Sequence, residues 1–300
     1  MSFSIVIPTK NRDSKLEKTL SVLFNIFDFK LIKIFVLDDG SSDNTKQLIT
    51  QNYPDITYIR NRKSKGIHAV RNKLFSLVTS DYIISIDDDA HFLTKEIIPL
   101  IERYFKSNTE VGLLYFRSFW SIYPPIQTSH NEVAHRTKSF GAVSFALKMS
   151  DWKKIPNLLE WFLFYGEEDF IAYQLYKKNI EIHYFPDILV HHRVDIKSRK
   201  KNKDYRLRLR RSLRSGWYLY LLFYPINQIP RRFFYTLWVQ IKMKVFKGDL
   251  KATLAILQAL LDFFVNSPRL IKNSNRLTEK EFNTFQKLPD TKLYWVPEED

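Results

Sequence analysis

Three hundred residues, 45% hydrophobic and 26% charged, are ordinary for a folded chain with one catalytic domain and an appendage. No cysteine occurs, so disulfides and thiolate metal sites are excluded and any metal must be held by Asp, Glu or His. The formal charge of +15 is unevenly placed: from Arg193 to Leu250 there are 16 Lys and Arg against the three acids Asp195, Asp204 and Asp249, a block that favours polyanionic partners.

Ser4 to Thr9 is short, apolar and β-branched and is closed by Pro8, which predicts a buried first strand. Asp13 to Phe27 follows with Leu16, Leu20, Leu23 and Phe24 at helical spacing, behind Asn11-Arg12-Asp13 as a cap. Leu31 to Leu37 predicts a second strand, Asp43 to Gln51 a second helix, Thr57 to Ile59 a third strand and His68 to Thr79 a third helix. Tyr82 to Ile86 is a fourth strand, and a helix over Thr94 to Lys106 completes the unit. Such alternation implies a mostly parallel sheet flanked by helices. From Gly112 to His192 the pattern loosens into aromatic strands (Leu113 to Phe119, Val143 to Lys148), a helix from about Glu168 to Lys178, and two strands, Ile182 to Pro186 and Ile188 to Val190, leading into His191-His192. Beyond Arg193 the spacing turns helical with interleaved basic and aromatic residues, an amphipathic helix covers Leu254 to Phe264, and the tail from Asn273 reads as polar and loose. The boundary falls near 193–205.

Two acidic clusters stand at strand ends: Asp38-Asp39-Gly40-Ser41 and Asp87-Asp88-Asp89. In an open α/β sheet, ligands bind beyond the carboxyl ends of the strands, so both clusters point to one site. Three adjacent aspartates repel one another unless a cation faces them, and hard oxygen ligands suit Mg²⁺ or Mn²⁺. Alternation along an extended segment puts Asp87 and Asp89 on one side and Asp88 on the other.

Together, Ser4 to Arg12, Val36 to Thr45, Gly66 with Arg71-Asn72, and Ile86 to Asp89, followed by Gly166-Glu167-Glu168-Asp169 and His191-His192, resemble the inverting family 2 glycosyltransferases of the GT-A fold. The resemblance covers about residues 3–192 and implies the following roles. Asp39 contacts the nucleotide base or ribose, with Pro8 and Thr9 flanking the base; Asp38 caps the turn or assists. Asp89 coordinates the divalent ion that bridges the diphosphate of a nucleoside diphosphate sugar, with His192 as a further ligand. Asp87 faces sugar or ribose, Asp88 is undecided, and Arg71 offsets phosphate charge. The catalytic base comes from the acids before the predicted helix: Glu168 by a gapless match, Asp169 by a shift of one, with Glu167 behind. Trp161 to Tyr165 and Leu114 to Trp120 are candidates for an acceptor wall, against packing into the core.

The resemblance implies division into a nucleotide-sugar-binding half (1–110), an acceptor half (111–192) and a basic, aromatic-rich helical extension (193–300). The reaction implied is transfer of a sugar to a glycan or lipid-linked acceptor in surface polysaccharide or lipopolysaccharide synthesis. A nucleotidyltransferase, or a non-catalytic polyanion or membrane-surface binding protein, are the alternatives. For the extension, an anionic membrane surface contacting residues 193–250 is weighed first, packing on the catalytic domain second and nucleic acid last. Residues 1–10 have no signal-peptide pattern and no uncharged apolar run reaches about 18 residues, so the expected location is cytoplasmic, peripheral on the inner face of the membrane.

Overall fold

β1 (Phe3–Thr9) is buried over its whole length, as its unbroken apolar sequence requires of a central strand. It pairs in parallel with β2 (Lys33–Asp38) and with β4 (Tyr82–Ile86), and β3 (Thr57–Arg60) extends the sheet from β2. The helices between them, α1 (Asp13–Ile26), α2 (Thr45–Asn52) and α3 (Ile67–Leu77), lie close to where hydrophobic spacing places them. In α1 the expected leucines Leu16, Leu20 and Leu23 are buried. Thr19 is buried with them and donates to the carbonyls of Asp88 (2.7 Å) and Ala90 (2.8 Å), tying α1 to the acidic turn.

The computed structural model describes residues 1–28, 30–195 and 204–296, so most of the boundary expected near 193–205 lies outside the described residues. Its second half contains β5 (Ala90–Phe92), α4 (Ile97–Ser107), β6 (Val111–Ser121), β7 (His135–Thr137), β8 (Ser144–Lys148), α5 (Met149–Trp152), α6 (Glu167–Lys177) and β9 (Glu181–Arg193). The sheet runs β3-β2-β1-β4-β8-β6-β9-β5, with β7 also on β9. Its first four strands are parallel, while β8 enters antiparallel between β4 and β6. The two strands expected over 182–190 are one strand, β9, whose register against β6 shifts between Phe116 and Arg117. Pro186 has no N–H for the ladder, and the extra residues at 186–188 are absorbed there as a bulge.

The two faces of the sheet carry separate cores. One is filled by α1 and α4 through residues such as Leu20, Ile101 and Phe105. The other continues from Val70 and Leu74 of α3 through Phe170 of α6 into the C-terminal helices. These are α7 (Tyr205–Phe223), α8 (Gln228–Met243), α9 (Leu250–Lys272) and α10 (Glu279–Gln286).

Packing accounts for the aromatic stripe of α7. Trp217, Tyr218 and Phe223 are buried, Phe223 stacks on Tyr173 with ring centroids 4.8 Å apart, and the Trp217 indole N–H donates to Thr236 at 3.0 Å. Its arginines are partly neutralised within the extension: Arg210 forms two bonds to Asp262 (2.6 and 2.7 Å), and Arg208 pairs with Asp204. The tail is not loose. A capping box between Thr278 and Glu281 starts α10, which buries Phe282 and Phe285, and Trp295 stacks on Tyr184 at 5.1 Å. With a shared core of this kind, Trp217→Ala is expected to cost about 3–5 kcal/mol in urea unfolding. A loss below about 1 kcal/mol would show that the extension folds apart from the sheet.

α9 also revises the reading of apolar runs. At 23 residues with a mean hydropathy of 1.3 over its best 18-residue window, it is long and apolar enough to cross a membrane by length and composition. Single charges at Lys251 and Asp262 interrupt the run without ending the helix.

Candidate active site

β2, β1 and β4 end side by side, and both acidic clusters sit on that edge. Thr9 joins them: its carbonyl accepts from the Asp39 N–H at 2.9 Å, and its hydroxyl donates to Asp88 Oδ2 at 2.8 Å. Asp39 and Asp89 therefore share one rim of the sheet.

Asp38, fully buried, makes the local turn: its Oδ1 accepts from the Ser41 N–H and its Oδ2 from the Tyr58 hydroxyl, both at 2.7 Å. Asp39 faces the loop over 61–66. Its carboxylate accepts from Asn61 Nδ2 (2.8 Å), Ser64 Oγ (2.6 Å), the Lys65 N–H (2.8 Å) and the Gly66 N–H (3.0 Å). Burial works against its charge, but these bonds prevail and hold the carboxyl below its ordinary value. An ionised carboxylate has about four acceptor directions, so the loop uses them all. That loop is closed further by Gly66, at φ 89°, where a Cβ would lie 2.6 Å from the Leu163 carbonyl oxygen. The Ile67 N–H donates to the same carbonyl at 3.0 Å, so this loop is fastened to the segment ahead of α6.

At 87–89 the alternation holds. Asp87, Asp89 and His192 present ligand atoms within 4.8 Å of one another, whereas Asp88 turns to Thr9 and Arg12. His192 arrives by tertiary pairing: β5 runs antiparallel to β9 with Ala90 opposite His192, and His192 Nε2 lies 2.9 Å from Asp89 Oδ1. Arg12 Nη1 bridges Asp88 and Asp89, 2.8 Å from each, and Lys15 Nζ is 3.8 Å from Asp89.

The two site-facing aspartates differ in charge balance. Burial opposes ionisation of Asp89, yet the bond from His192 and the charges of His192, Arg12 and Lys15 hold its carboxyl well below the usual range. Asp87 is pushed up to about 8 by burial and by Asp89 and Asp88, with Arg71 offsetting only part. Two carboxylates and an imidazole are a donor set that can hold a divalent metal ion. His192 Nδ1 is buried without a hydrogen-bond partner among the described residues, and Asp87 is under-compensated, so the residues present fit a divalent cation.

Arg71, 3% exposed, donates to Ser85 Oγ (2.8 Å), the Ala142 carbonyl (3.2 Å) and Asp87 Oδ1 (3.4 Å). Its charge also acts on Glu167 and Glu168 of α6. Asn72, paired with Arg71 in the sequence motif, instead clasps the Leu158 backbone, donating to its carbonyl and accepting its N–H at 2.9 Å each.

The three acids of α6 have separate surroundings. Glu167 is buried with Oε2 3.3 Å from His68 Nε2, and against burial the neighbouring His68 holds its carboxyl low. Glu168 is half-buried, and its carboxyl is pushed well above the ordinary value by burial and by Glu167. Asp169 opens to solvent and accepts from Ser139 Oγ at 3.0 Å. Desolvation by the protein around it raises its carboxyl, with the Glu167 charge adding to this and the Ser139 bond opposing it.

Some participants were not legible locally. Arg12 stands at the N-cap of α1 but makes no side-chain cap bond, its guanidinium being committed to the aspartates. The signal for it was the unbalanced charge of three adjacent acids, which calls for a cation supplied by the chain itself. His68, left unassigned by sequence, is Glu167's partner. Most of the proposed acceptor wall packs inward: Tyr115, Phe116, Phe119 and Phe162 are buried and Trp161 packs against Tyr218 at 5.5 Å. Trp120 instead reaches the site, edge-on to His192 at 4.6 Å.

The glycosyl transferase family 2 profile matches residues 4–182, more than half of the chain. The chain belongs to glycosyl transferase family 2. This family 2 chain is similar to the GalNAc(5)-diNAcBac-PP-undecaprenol beta-1,3-glucosyltransferase of Campylobacter jejuni, 32% identical over 104 residues covering 33% of each chain. It is also similar to the abequosyltransferase RfbV of Salmonella typhimurium, 34% identical over 119 residues covering 38% of this chain and 35% of that one. The alignments thus span about a third of these curated relatives' own length. Among solved structures, the mannosyltransferase PcManGT from Pyrobaculum calidifontis in complex with GDP-Man and Mn²⁺ superposes with a TM-score of 0.55 at 14% identity, covering 72% of this chain and 61% of that one. S. aureus TarS in complex with UDP-GlcNAc gives 0.57 at 16% identity, covering 91% and 84%. At such identities the likeness establishes the fold, which is GT-A: an α/β sheet, parallel over β3-β2-β1-β4, with helices on both faces and a helical C-terminal extension.

Proposed function

We propose that this family 2 chain is an inverting glycosyltransferase that moves a sugar from a nucleoside diphosphate sugar to a hydroxyl of a glycan or lipid-linked acceptor, in surface polysaccharide or lipopolysaccharide synthesis. The observation that carries this reading is the cluster of Asp87, Asp89 and His192 on the same rim as Asp39, with Arg71 against Asp87. The donor half is 1–110, the acceptor half 111–192, and 193–300 the extension.

A divalent cation, Mg²⁺ or Mn²⁺, would be held by Asp87, Asp89 and His192, and when bound it supplies Lewis-acid neutralisation of charge on the departing diphosphate. Pro8, Thr9 and Asp39 form the nucleotide end: Asp39 shapes the 61–66 loop against which the base or ribose lies, and any direct contact from its carboxylate replaces one of that loop's four bonds. Asp88 fastens Thr9 and Arg12 behind the site. Arg71 places a fixed positive charge at Asp87, where it balances phosphate. On the acceptor side Asp169, the solvent-open acid of α6, takes the proton from the attacking hydroxyl. The acceptor oxygen forms its bond to the anomeric carbon as the bond to the donor phosphate oxygen breaks, the nucleoside diphosphate leaves with the electron pair, and the anomeric configuration inverts. Glu167 is positioned by His68 and sets its charge beside the base.

A thermal-shift screen tests the assignment. UDP-, GDP- and dTDP-sugars with Mn²⁺ are each compared with the same nucleotide in EDTA. At 100 times its Kd, one donor class is expected to stabilise the chain by about 2.7 kcal/mol, with the gain lost in EDTA. Equal melting temperatures across the whole panel, with and without metal, would remove the donor-binding claim.

A further inference from the structure

We propose that the outer face of α8 and α9, with the turn over 243–250 that joins them, docks on an anionic lipid bilayer and lies in its headgroup region without crossing it. This surface differs from the basic stripe of α7, whose aromatic side is buried and whose Arg210 and Arg214 face Asp262. On α9 the inner positions Ala252, Ala255, Ile256, Ala259 and Phe263 are buried, while Leu254, Leu257, Leu261 and Phe264 stand outward at spacings of three and four, each more than two-fifths exposed. On α8 the outward residues are Phe234, Tyr235 and Trp238, with Phe246 of the following turn edge-on to Trp238 at 5.9 Å. The helices meet where Phe233 stacks on Phe263 at 4.8 Å, and each of these rings touches its exposed neighbour, Phe234 or Phe264, at 5.5 Å. The exposed apolar residues of both helices therefore flank one shared contact, and exposed apolar residues in such number mark an interaction site.

Charge selects the occupant. Arg231, Arg232, Lys242, Lys247, Lys251 and Lys272 are exposed along these elements and join no ion pair among the described residues. Between Tyr205 and Leu277 the acids are Asp249 and Asp262. Asp249 caps α9 and accepts from Tyr205, and Asp262 is held by Arg210. Against a second copy, a two-fold interface would set these cations against themselves, and an α9 seam alone would leave the α8 aromatics uncovered. Against spanning, α9 would have to break the Arg210–Asp262 bonds and expose the side buried on α7. Aromatic and aliphatic residues rimmed by Lys and Arg match a helix pair lying in an anionic interface.

The face is tied to the catalytic acids. Arg214 Nη2 on α7 donates to the Phe162 carbonyl at 2.6 Å and Ser215 Oγ to the Phe164 carbonyl at 3.2 Å, just ahead of Gly166 and α6. Docking would thus hold α6 close to a lipid-borne acceptor; that consequence alone rests on the transferase reading.

The test is co-sedimentation of the full chain with vesicles of phosphatidylglycerol and phosphatidylcholine, against phosphatidylcholine alone. Binding to the anionic vesicles is expected, at least tenfold weaker in 0.5 M NaCl and at least tenfold weaker for Leu257→Asp/Leu261→Asp, with the melting temperature of that variant and its nucleotide-sugar shift unchanged. Failure of the wild-type chain to bind anionic vesicles overturns the proposal. So does a dimer that Leu257→Asp/Leu261→Asp dissociates in the absence of vesicle binding, or insertion that survives alkaline carbonate. Vesicle binding without any nucleotide-sugar shift would remove the transferase reading and leave the lipid face standing.

Discussion

Asp89→Asn is expected to lower transfer by about 10³-fold or more, roughly 4 kcal/mol of transition-state stabilisation, while the fold persists. Among the described residues Asp89 alone pairs with His192, Arg12 and Lys15 at once, and these three groups outweigh its burial and favour its ionised form. Asparagine keeps the shape and can still accept a hydrogen bond from His192, but it presents no charge to a cation. Stability should change by about 1 kcal/mol at most, since Arg12 retains Asp88 and repulsion among the three acids falls. Two readings separate the metal role from general disruption: initial rates over a Mn²⁺ titration, and the donor-induced thermal shift with and without EDTA. A variant that retains wild-type rates at saturating Mn²⁺ would remove Asp89 from the site, whereas joint loss of rate and of metal-dependent donor stabilisation supports it. Asp87→Asn is the companion. Because Asp87 carries the less compensated charge, its loss should weaken donor affinity with a smaller change in turnover.

Asp169→Asn is expected to reduce kcat by about 10³-fold with little change in donor binding, within the span a positioned general base contributes. Glu168→Gln should change kcat little, because burial and Glu167 already favour the neutral form of that carboxyl. The assignment follows from access: Glu167 is turned inward to His68, Glu168 is half-covered, and Asp169 is open to solvent with one bond, from Ser139. Its carboxyl is raised by desolvation, which fixes the sign of the pH dependence. A base works deprotonated, so the rate should fall as pH drops through a limb lying above the ordinary carboxylate range. Ser139→Ala removes a bond that favours the charged form, which should move that limb further up. A dead Glu168→Gln enzyme beside an active Asp169→Asn enzyme would transfer the role to Glu168, and a limb unmoved in Ser139→Ala would separate that hydroxyl from the base.

Local pattern went far in the first half of the chain. The apolar runs of β1, β2 and β4 are buried strands, and the leucines of α1 face the core, because hydrophobic periodicity reports burial directly. The period of two along 87–89 was enough to group Asp87 with Asp89 and turn Asp88 away. Composition could not divide the extension: a basic, aromatic-rich stretch reads the same whether its rings cover a membrane or a protein core. Trp217 and Phe223 proved to be core, while Trp238 and Phe234 remained outside.

The chain alone determined the order of strands and helices, the two acidic strand ends and their family, since each depends on residues within a few positions of one another. The resemblance implied that His192 joins Asp89, but only the tertiary structure shows how β9 carries it there across 103 residues, closes the 61–66 loop on Asp39 and sets Arg71 against Asp87. Those contacts follow from strand register and helix docking, which are chosen by the summed burial of the whole sheet and leave no local mark on the residues they join.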